Sequence, residues 1–426
     1  MEQITKELLQ FIEQSTSPYH TVLTAKHLLD QEGFQSLDLG ADWSLAPEGK
    51  YYVTVFDSCL LAFRTGQKGS RGLRMAAAHT DFPCFRIKPA PEVTGHGYGT
   101  LNVEGYGGMI VSTWLDRPLS LAGKVVTRTA DPFAPATHFV DFKRPLLTIA
   151  NLAIHMNREV NDGYKWNKQK DVLPLATLVD KEKPDKQFFQ KFLARELGCK
   201  AEDILSFELS TYPVEQGCTL GLNEEFISSG RLDNLTSVVG CLKGLINGEC
   251  SEGLRVAALF DNEEVGSNTK QGADSLVLDQ LLQRVYGCLG LTQEQLYQDL
   301  AKGFMLSVDV AHGLHPNYVD KCDITNQPVL NGGLVLKQAS TQSYAGDAEA
   351  VAIVKGLCEA NGIPCQLFVN RSDIRGGSTL GSMASALTPI RTMDIGVPLL
   401  AMHSARETMG YKDQEALEKL ITVFFG

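Results

Sequence analysis

Apolar runs and amphipathic stretches alternate at the two ends of the chain, in the first 84 residues and again from about residue 221 onward. "KYYVTVF", "LRVAALF" and "FMLSV" are apolar almost throughout, whereas "SVVGCLKGLING" and "DAEAVAIVKGLCEANG" place their apolar residues at helical spacing. Strands without a polar face need cover on both sides. The pattern therefore predicts an α/β fold in which helices cover both faces of a central mixed sheet.

The segment 85–220 interrupts this alternation. "KPAPEVTGHGYGT" is rich in proline and glycine, "SLAGKVVTRT" is typical of a short strand, and "DKEKPDKQ" is highly charged. Short strands between turn residues predict a β-rich insertion with some helix. Since 426 residues are also too many for one ordinary core, we expect residues 1–84 and 221–426 to form one domain and 85–220 to form an inserted second domain.

Composition and charge narrow the class of protein. The chain has 39 basic and 50 acidic residues and no long basic cluster, which argues against nucleic acid as a partner. It has no uncharged apolar run of about 18 residues, which argues against membrane residence. The N-terminal "MEQITKELLQFIEQ" has the spacing of an amphipathic helix rather than a signal peptide, and the ten cysteines form no CxxC pair. We expect a cytoplasmic protein with reduced thiols.

Histidines and carboxylates stand where the predicted strands end. Because ligands of open α/β sheets bind beyond the carboxyl ends of the strands, these side chains are expected to meet in one crevice. They come from five distant segments of the chain: His79 and Asp81, Asp233, Glu263 and Glu264, Asp309 and His312, and His403.

Two histidines with several carboxylates suit two divalent metals bridged by a carboxylate, and they favour zinc over magnesium. The adjacent glutamates Glu263 and Glu264 fit the same chemistry, because neighbouring side chains at a strand end point in opposite directions. One carboxylate can then bind metal while the other takes a proton from water. The motifs HExxH, GxSxG and GxxxxGK[ST] are absent. The sequence therefore gives no support for a single-zinc helical protease, a serine hydrolase of the α/β type or a P-loop NTPase.

Five motifs, "AAHTD", "GRLDN", "FDNEEVGS", "SVDVAHGLHPNY" and "LLAMHSARE", resemble in order those of the aspartyl aminopeptidase family of two-zinc exopeptidases. The resemblance spans the chain and implies a zinc exopeptidase-like fold, with hydrolysis of N-terminal Asp or Glu from peptides. It implies Glu263 as general base and Asp81 as the residue that orients His79. It also implies two Zn²⁺ per subunit, one held by His79, Asp233 and Asp309 and the other by Asp233, Glu264 and His403.

The same resemblance extends to substrate contacts and assembly. It implies that the insertion is a dimerisation domain, and that the chain forms homo-oligomers built from dimers and commonly dodecamers. His155 in "LAIHMNR" would reach the active site of a neighbouring subunit, where it would act in catalysis and substrate binding. Lys337, Tyr344 and His312 would bind substrate. Phe82 departs from the family pattern, which often has a small residue after "HTD".

Other functions remain open at this level. The ligand set also suits a two-metal hydrolase of another amide or of a phosphoester, and an aminopeptidase of broader specificity. A non-catalytic assembly with structural metals is a further alternative. Structural zinc sites are usually closed and rich in thiolates, whereas the residues here offer no Cys ligand and one glutamate beyond the ligand set.

Overall fold

The structure is a computed structural model of the chain, and it describes residues 2–426. The α-helices are α1 Glu2–Gln14, α2 Pro18–Gln31, α3 Phe188–Leu197, α4 Leu232–Asn247, α5 Val277–Cys288, α6 Gln293–Lys302, α7 Ala348–Ala360, α8 Leu380–Leu387 and α9 Tyr411–Phe425. The first ten strands are β1 Gln35–Leu37, β2 Lys50–Val55, β3 Cys59–Thr65, β4 Leu73–His79, β5 Cys84–Gly95, β6 Tyr98–Tyr106, β7 Leu119–Thr127, β8 Ala136–Asp141, β9 Leu175–Leu178 and β10 Ile204–Pro213. The others are β11 Cys218–Leu220, β12 Phe226–Ser229, β13 Leu254–Phe260, β14 Phe304–Val308, β15 Ala311–His312, β16 Leu334–Gln338, β17 Cys365–Val369, β18 Arg391–Gly396, β19 Pro398–Leu400 and β20 Glu407–Gly410.

The chain divides into two compact units. Within the described residues, the first comprises 2–81, 217–402 and 407–426, and the second comprises 82–216 and 403–406. The chain therefore leaves the first unit soon after β4 ends and returns to it just before β11. The sequence predicted an insertion at 85–220; its role in dimerisation stays a prediction.

The first unit is built on a mixed sheet of nine strands within residues 2–426, in the order β1-β2-β3-β13-β4-β14-β18-β16-β17. At its centre β13, β4, β14 and β18 run parallel, and β3 pairs antiparallel with β13. Parallel neighbours end at the same edge of a sheet. This brings the ends of β4, β13 and β14 together, although they are far apart in the chain.

Both faces of this sheet are covered. Met75 and Ala258 belong to a core that also contains leucines of α5, α6 and α8, such as Leu282. The alternate residue Arg74 points to the other face, where its guanidinium donates to the carbonyl of Phe424 in α9. The predicted α/β fold with a sheet covered on both faces is confirmed.

A second sheet of the first unit is short, with the strand order β11-β12-β20-β19-β15 within the described residues. β12 and β20 pair antiparallel, with Ser229 opposite Glu407. β15 and β19 pair in parallel, with His312 opposite Leu399. This sheet places His312 and Glu407 in the same unit as the ends of the central strands.

The second unit contains an antiparallel sheet of six strands within residues 2–426, in the order β8-β7-β10-β5-β6-β9. Phe85, Leu121 and Leu209 from its strands pack with Phe189 and Leu193 of α3 in a separate core. The segment is thus rich in β-structure and has its own hydrophobic core. None of the helices in residues 2–426 is both long and apolar enough to span a membrane.

Candidate metal centre

His79 is the last residue of β4 and its side chain is only 1% exposed. Its Nε2 lies 3.5 Å from Asp233 Oδ1 and 3.6 Å from Asp309 Oδ1. Its Nδ1 faces Asp81, 3.1 Å from the backbone oxygen and 3.3 Å from Oδ1. A histidine that donates through Nδ1 presents the lone pair of Nε2, which is the arrangement typical of a metal ligand.

Asp81 connects this histidine to the glutamate pair. Its side chain is fully buried, and its two carboxylate oxygens accept the backbone N–H groups of Glu263 and Glu264, each at 3.1 Å. Those amides belong to a 3-10 turn, Glu263–Val265, that follows β13, and Asn262 before it has φ of 62°. One carboxylate thus fixes the orientation of His79 and the position of the turn that carries both glutamates.

Asp309 follows β14 directly. Its Oδ1 accepts the N–H of Val310 at 2.7 Å, and its Oδ2 lies 3.2 Å from Nζ of Lys337. The Lys337 ammonium also donates to the carbonyl of Val310 at 2.8 Å. Lys337 is 2% exposed. Burial opposes the charge of Lys337, but Asp309 and Asp394 more than offset burial, and the pKa of the lysine is raised.

Asp233 stands in the first turn of α4 and is 3% exposed. Its N–H donates to Glu407 Oε2 at 3.0 Å, and the side-chain amide of the next residue, Asn234, donates to the carbonyl of Val308 at 3.1 Å. These bonds tie the start of α4 to β20 and to the end of β14. They bring Asp233 to the same edge of the sheet as His79 and Asp309.

His79, Asp233 and Asp309 each offer one ligand atom, and these atoms lie within 4.8 Å of one another. An oxygen of Glu264 lies within 4.8 Å of an oxygen of Asp233. The carboxylate of Glu263 lies in the same cluster, 3.9 Å from Nε2 of His79. The group therefore combines one histidine with several carboxylates and no thiolate, a donor set that suits zinc.

The electrostatics of this group favour a bound cation. Burial raises the pKa of Glu263 to about 8; Asp309, Asp81 and Asp233 add to that rise, and His79 opposes it. Burial lowers the pKa of His79, but Asp309, Asp81 and Glu263 more than offset burial and hold it well above its usual value. Mutual repulsion among the carboxylates and the raised pKa of His79 both indicate that the group lacks compensating positive charge. A metal ion would supply that charge.

His403 and His155 belong to the second unit. The ring of His403 is half-buried; its Nδ1 lies 2.7 Å from the carbonyl of Gly108, and its own carbonyl accepts the N–H of Ile110 at 3.1 Å. The bond to Gly108 leaves the lone pair of the ring on Nε2, as for His79. His155 is exposed between Ile154 and Met156, which are exposed as well.

The predicted substrate residues of the first unit form one neighbourhood. Nζ of Lys337 lies 4.9 Å from the ring centre of Tyr344. The rings of Tyr344 and His312 lie 6.3 and 5.9 Å from the ring of Phe368. Tyr344 is 5% exposed, and its hydroxyl accepts from the side-chain amide of Asn370 at 3.4 Å.

Three neighbours of the site were not identified from the sequence: Glu407, Asn234 and Phe368. Glu407 ends the motif "LLAMHSARE", and its place in a recognised motif was the available signal. The structure shows that it is only 2% exposed. Asn234 lies beside Asp233 in "GRLDN". Phe368 carried no signal, because an aromatic in an apolar strand is ordinary core material.

A mixed sheet with one histidine and several carboxylates at the ends of its central strands is the arrangement of a metalloenzyme. The sequence profile described as "Aminopeptidase I zinc metalloprotease (M18)" matches residues 11–425. The chain belongs to this family and is a zinc metallo-aminopeptidase, so the resemblance found in the motifs is confirmed.

Individual relatives in the same family match this chain over nearly its full length. A probable M18 family aminopeptidase 2 of Clostridium acetobutylicum is 45% identical over 99% of this chain and 98% of its own. The corresponding protein of Pseudomonas syringae pv. syringae is 40% identical over 99% of this chain and 98% of its own.

The fold of this chain is also similar to those of solved structures. The structure of the Ape4 and Nbr1 complex superposes with a TM-score of 0.94 at 34% identity, covering 100% of this chain and 85% of that one. The S. cerevisiae mApe1 dodecamer superposes with a TM-score of 0.85 at 27% identity, covering 100% and 96%.

Proposed function

We propose that this aminopeptidase removes N-terminal acidic residues from peptides with two zinc ions, and that Glu263 is the general base. The observation that carries the proposal is the arrangement around Asp81. One buried carboxylate holds His79 and both amides of the glutamate pair, so a metal ligand and two further carboxylates are fixed relative to one another.

His79, Asp233 and Asp309 would hold one ion, and Asp233, Glu264 and His403 the other. The proximity of Asp233 to Glu264 supports Asp233 as the bridging ligand. The bond between His403 Nδ1 and Gly108 supports Nε2 of His403 as a ligand atom. Bound zinc supplies Lewis acidity, which polarises a peptide carbonyl and makes water easier to deprotonate.

Glu263 and Asp81 are left without a metal in this scheme, and Asp81 is already occupied by His79 and two backbone amides. The side chain of Glu263 is 13% exposed, which leaves it in reach of water and of a bound peptide. In this role a carboxylate oxygen of Glu263 takes the proton from the attacking water and later passes it to the leaving amine. The backbone bond to Asp81 holds Glu263 in place for both transfers.

Substitution of Glu263 by Gln tests the proposal. The amide cannot accept the proton, so kcat should fall by about 10²- to 10⁴-fold while zinc content stays at two ions per chain. Glu252→Gln, which changes an exposed glutamate, is the matched control and should leave both quantities unchanged. Loss of zinc together with activity would make Glu263 a ligand rather than the base, and retained activity would remove it from catalysis.

Acidic preference is supported by Lys337, the cation that stands beside Asp309 and Tyr344. A substrate carboxylate loses hydration when it enters a pocket, and it needs a charged partner to offset that cost. Lys337 is the proposed partner, with Tyr344 and His312 as further contacts. Release rates measured on dipeptides that differ only in their first residue test this preference; faster release of Leu than of Asp would contradict it.

Assembly into homo-oligomers built from dimers, and into a dodecamer, is proposed from two observations. The similar mApe1 of S. cerevisiae is a dodecamer. In the second unit, Leu152, Ile154 and Met156 expose apolar side chains on both sides of His155. Apolar side chains grouped at a surface are typical of an interface. Light scattering of the zinc-loaded protein tests the assembly, and a monomer at micromolar concentration would contradict it.

A further inference from the structure

A cavity of about 260 Å³ lies in the first unit where β4 and β13 begin, lined by Gly72 and Leu254 among others. The metal-binding group lies at the opposite ends of these strands, after His79 and Phe260. The loop 66–72, "GQKGSRG", forms one side of the cavity, and Leu45 and the connection between α5 and α6 form others. The cavity is therefore separate from the metal centre.

The loop that forms this side is held by the chain before β13. The N–H of Gly66 donates to the carbonyl of Gly253 at 2.6 Å, and the N–H of Gln67 donates to Ser251 at 3.0 Å. Ser70 Oγ accepts the N–H of Gly253 at 2.9 Å. A loop with this many bonds keeps its shape without a ligand, so the cavity is preformed.

The charges that line the cavity favour an anion. Asp299 is buried and already accepts from Arg71 Nη2 at 2.9 Å and from the hydroxyl of Tyr286 at 2.8 Å. Lys68 is exposed and takes part in none of the ion pairs found in residues 2–426. With Asp299 paired to Arg71, Lys68 leaves the lining with a net positive charge, in a chain whose net charge is −11.

The rest of the lining is largely apolar. Leu45, Leu289 and Leu291 are partly buried against the main core, and Leu254 is buried within it. We propose that this cavity binds a small carboxylate with an apolar body, the carboxylate meeting Lys68 and the body packing against these leucines. Free carboxylic acids and the carboxyl termini of short peptides share this chemistry.

Calorimetry on the zinc-loaded full chain tests the proposal with three probes: 3-phenylpropionate, N-acetyl-L-phenylalanine as a peptide terminus, and the neutral 3-phenylpropanamide. At least one carboxylate should bind saturably and more tightly than the amide. Lys68→Gln should weaken that binding by about tenfold, which is the effect of losing one charge-assisted hydrogen bond. Lys183→Gln, which changes an exposed lysine of the second unit, is the matched control and should have no effect.

A second readout locates the bound probe. Cys288 lines the cavity, so saturating carboxylate should slow its alkylation by N-ethylmaleimide, while the exposed Cys218 should react at an unchanged rate. Tighter binding of 3-phenylpropionate would identify the ligand as a free carboxylic acid, and tighter binding of N-acetyl-L-phenylalanine would identify it as a peptide carboxyl terminus. Absence of saturable binding, equal affinity for the amide, equal affinity of Lys68→Gln, or unchanged alkylation of Cys288 would each overturn the proposal.

Discussion

At the scale of the residue, the single side chain of Asp81 positions several groups of the candidate metal centre. It binds no metal in the proposed scheme, yet it contacts Nδ1 of His79 and accepts two amides of the glutamate turn. A neutral side chain of the same shape lacks the charge and one of the two acceptor oxygens. The positions of His79, the proposed ligand, and of Glu263, the proposed base, therefore depend on the same carboxylate.

Asp81→Asn should weaken zinc binding by about 10- to 100-fold and lower kcat as well, because outer partners of ligating histidines contribute on this scale. Titration against a competing chelator measures the affinity. The exposed Asp57→Asn is the control and should match the wild type. An Asp81→Asn enzyme with wild-type zinc affinity would show that His79 is oriented without this carboxylate.

Lys337→Met separates two possible uses of one ammonium group. If the lysine binds the substrate carboxylate, kcat/KM for an N-terminal Asp peptide should fall by about one to two orders of magnitude, with little change for an N-terminal Ala peptide. If it serves only to hold Asp309, both substrates should lose activity equally and zinc affinity should fall. Lys355→Met, on the exposed side of α7, is the control.

Most of the candidate site was predicted from two features of the sequence: the residue types, His and Asp or Glu, and their positions at the ends of predicted strands. His79, Asp233 and Asp309 were predicted together, and the structure brings their ligand atoms within 4.8 Å. The pairing of Lys337 with Asp309 was not predicted, because a lysine in an apolar strand has no sequence signal for its partner. Glu407, which accepts the amide of Asp233, lies within a recognised motif, but its contact with the start of α4 depends on the tertiary fold and follows no local pattern.

At the scale of the element, helix α9 is held by hydrogen bonds from the rest of the first unit at both of its ends. In its first turn Asp413 accepts the amides of Asn331 at 2.7 Å and Gly333 at 2.8 Å. At its end Arg74 donates to the carbonyls of Phe424 and Gly426, and Arg255 donates to Phe425. Arginines on β4 and β13 thus satisfy the carbonyls that every helix leaves open.

Arg255→Met should lower the free energy of unfolding by roughly 1–3 kcal/mol, because it leaves a buried carbonyl without its charged donor. Thermal unfolding of the zinc-loaded protein measures the change as a lower Tm. The control is Arg375→Met, which changes an exposed arginine. Equal Tm values for the two variants would show that the carbonyl of Phe425 finds another donor.

Asp413 makes stability depend on pH. Burial raises its pKa to about 7, against the opposing amides of Asn331, Gly333 and Gly410, whereas the unfolded value is 3.8. Between these values the folded state binds more protons, so stability should fall as pH rises toward 7, by at most about 1.4 kcal/mol per pH unit. Asp413→Asn should lack this contribution. The Tm of the wild type minus that of the variant should therefore fall from pH 5 to pH 7, and a rise in this signed difference would contradict the prediction.

Exchange of subunits tests the trans role of His155 at the scale of the whole molecule. If His155 acts in the active site of a neighbouring subunit, as the resemblance implies, His155→Ala and Glu263→Gln proteins are each nearly inactive, and mixed assemblies pair an intact Glu263 with an intact His155. Activity should therefore recover when the two are mixed under exchange conditions. Exchange is monitored by native mass spectrometry with one isotope-labelled variant. Demonstrated exchange without recovery would assign His155 to its own subunit or to no catalytic role.

For the whole molecule, the class of fold was predictable from the sequence, because apolar strands and amphipathic helices are local patterns. The order β3-β13-β4-β14 was not predictable, since it joins strands that lie far apart in the chain. The segment 403–406 groups with the second unit although it follows β19 of the first, and nothing in "MHSARE" indicates that change. Pairings over long separations depend on packing that no local pattern encodes.

The proposed ligands lie far apart along the chain, so they are also synthesised at different times. His79 leaves the ribosome early, Asp233 much later, and Asp309 only when most of the chain has been made. Zinc binding requires the assembled group, because a preformed site rarely exists in an unfolded chain. A ribosome-bound fragment that ends before residue 309 therefore holds an unfinished centre. Under the proposed ligand set, zinc would therefore bind late, and zinc supply would be a condition of the final maturation step rather than of first folding.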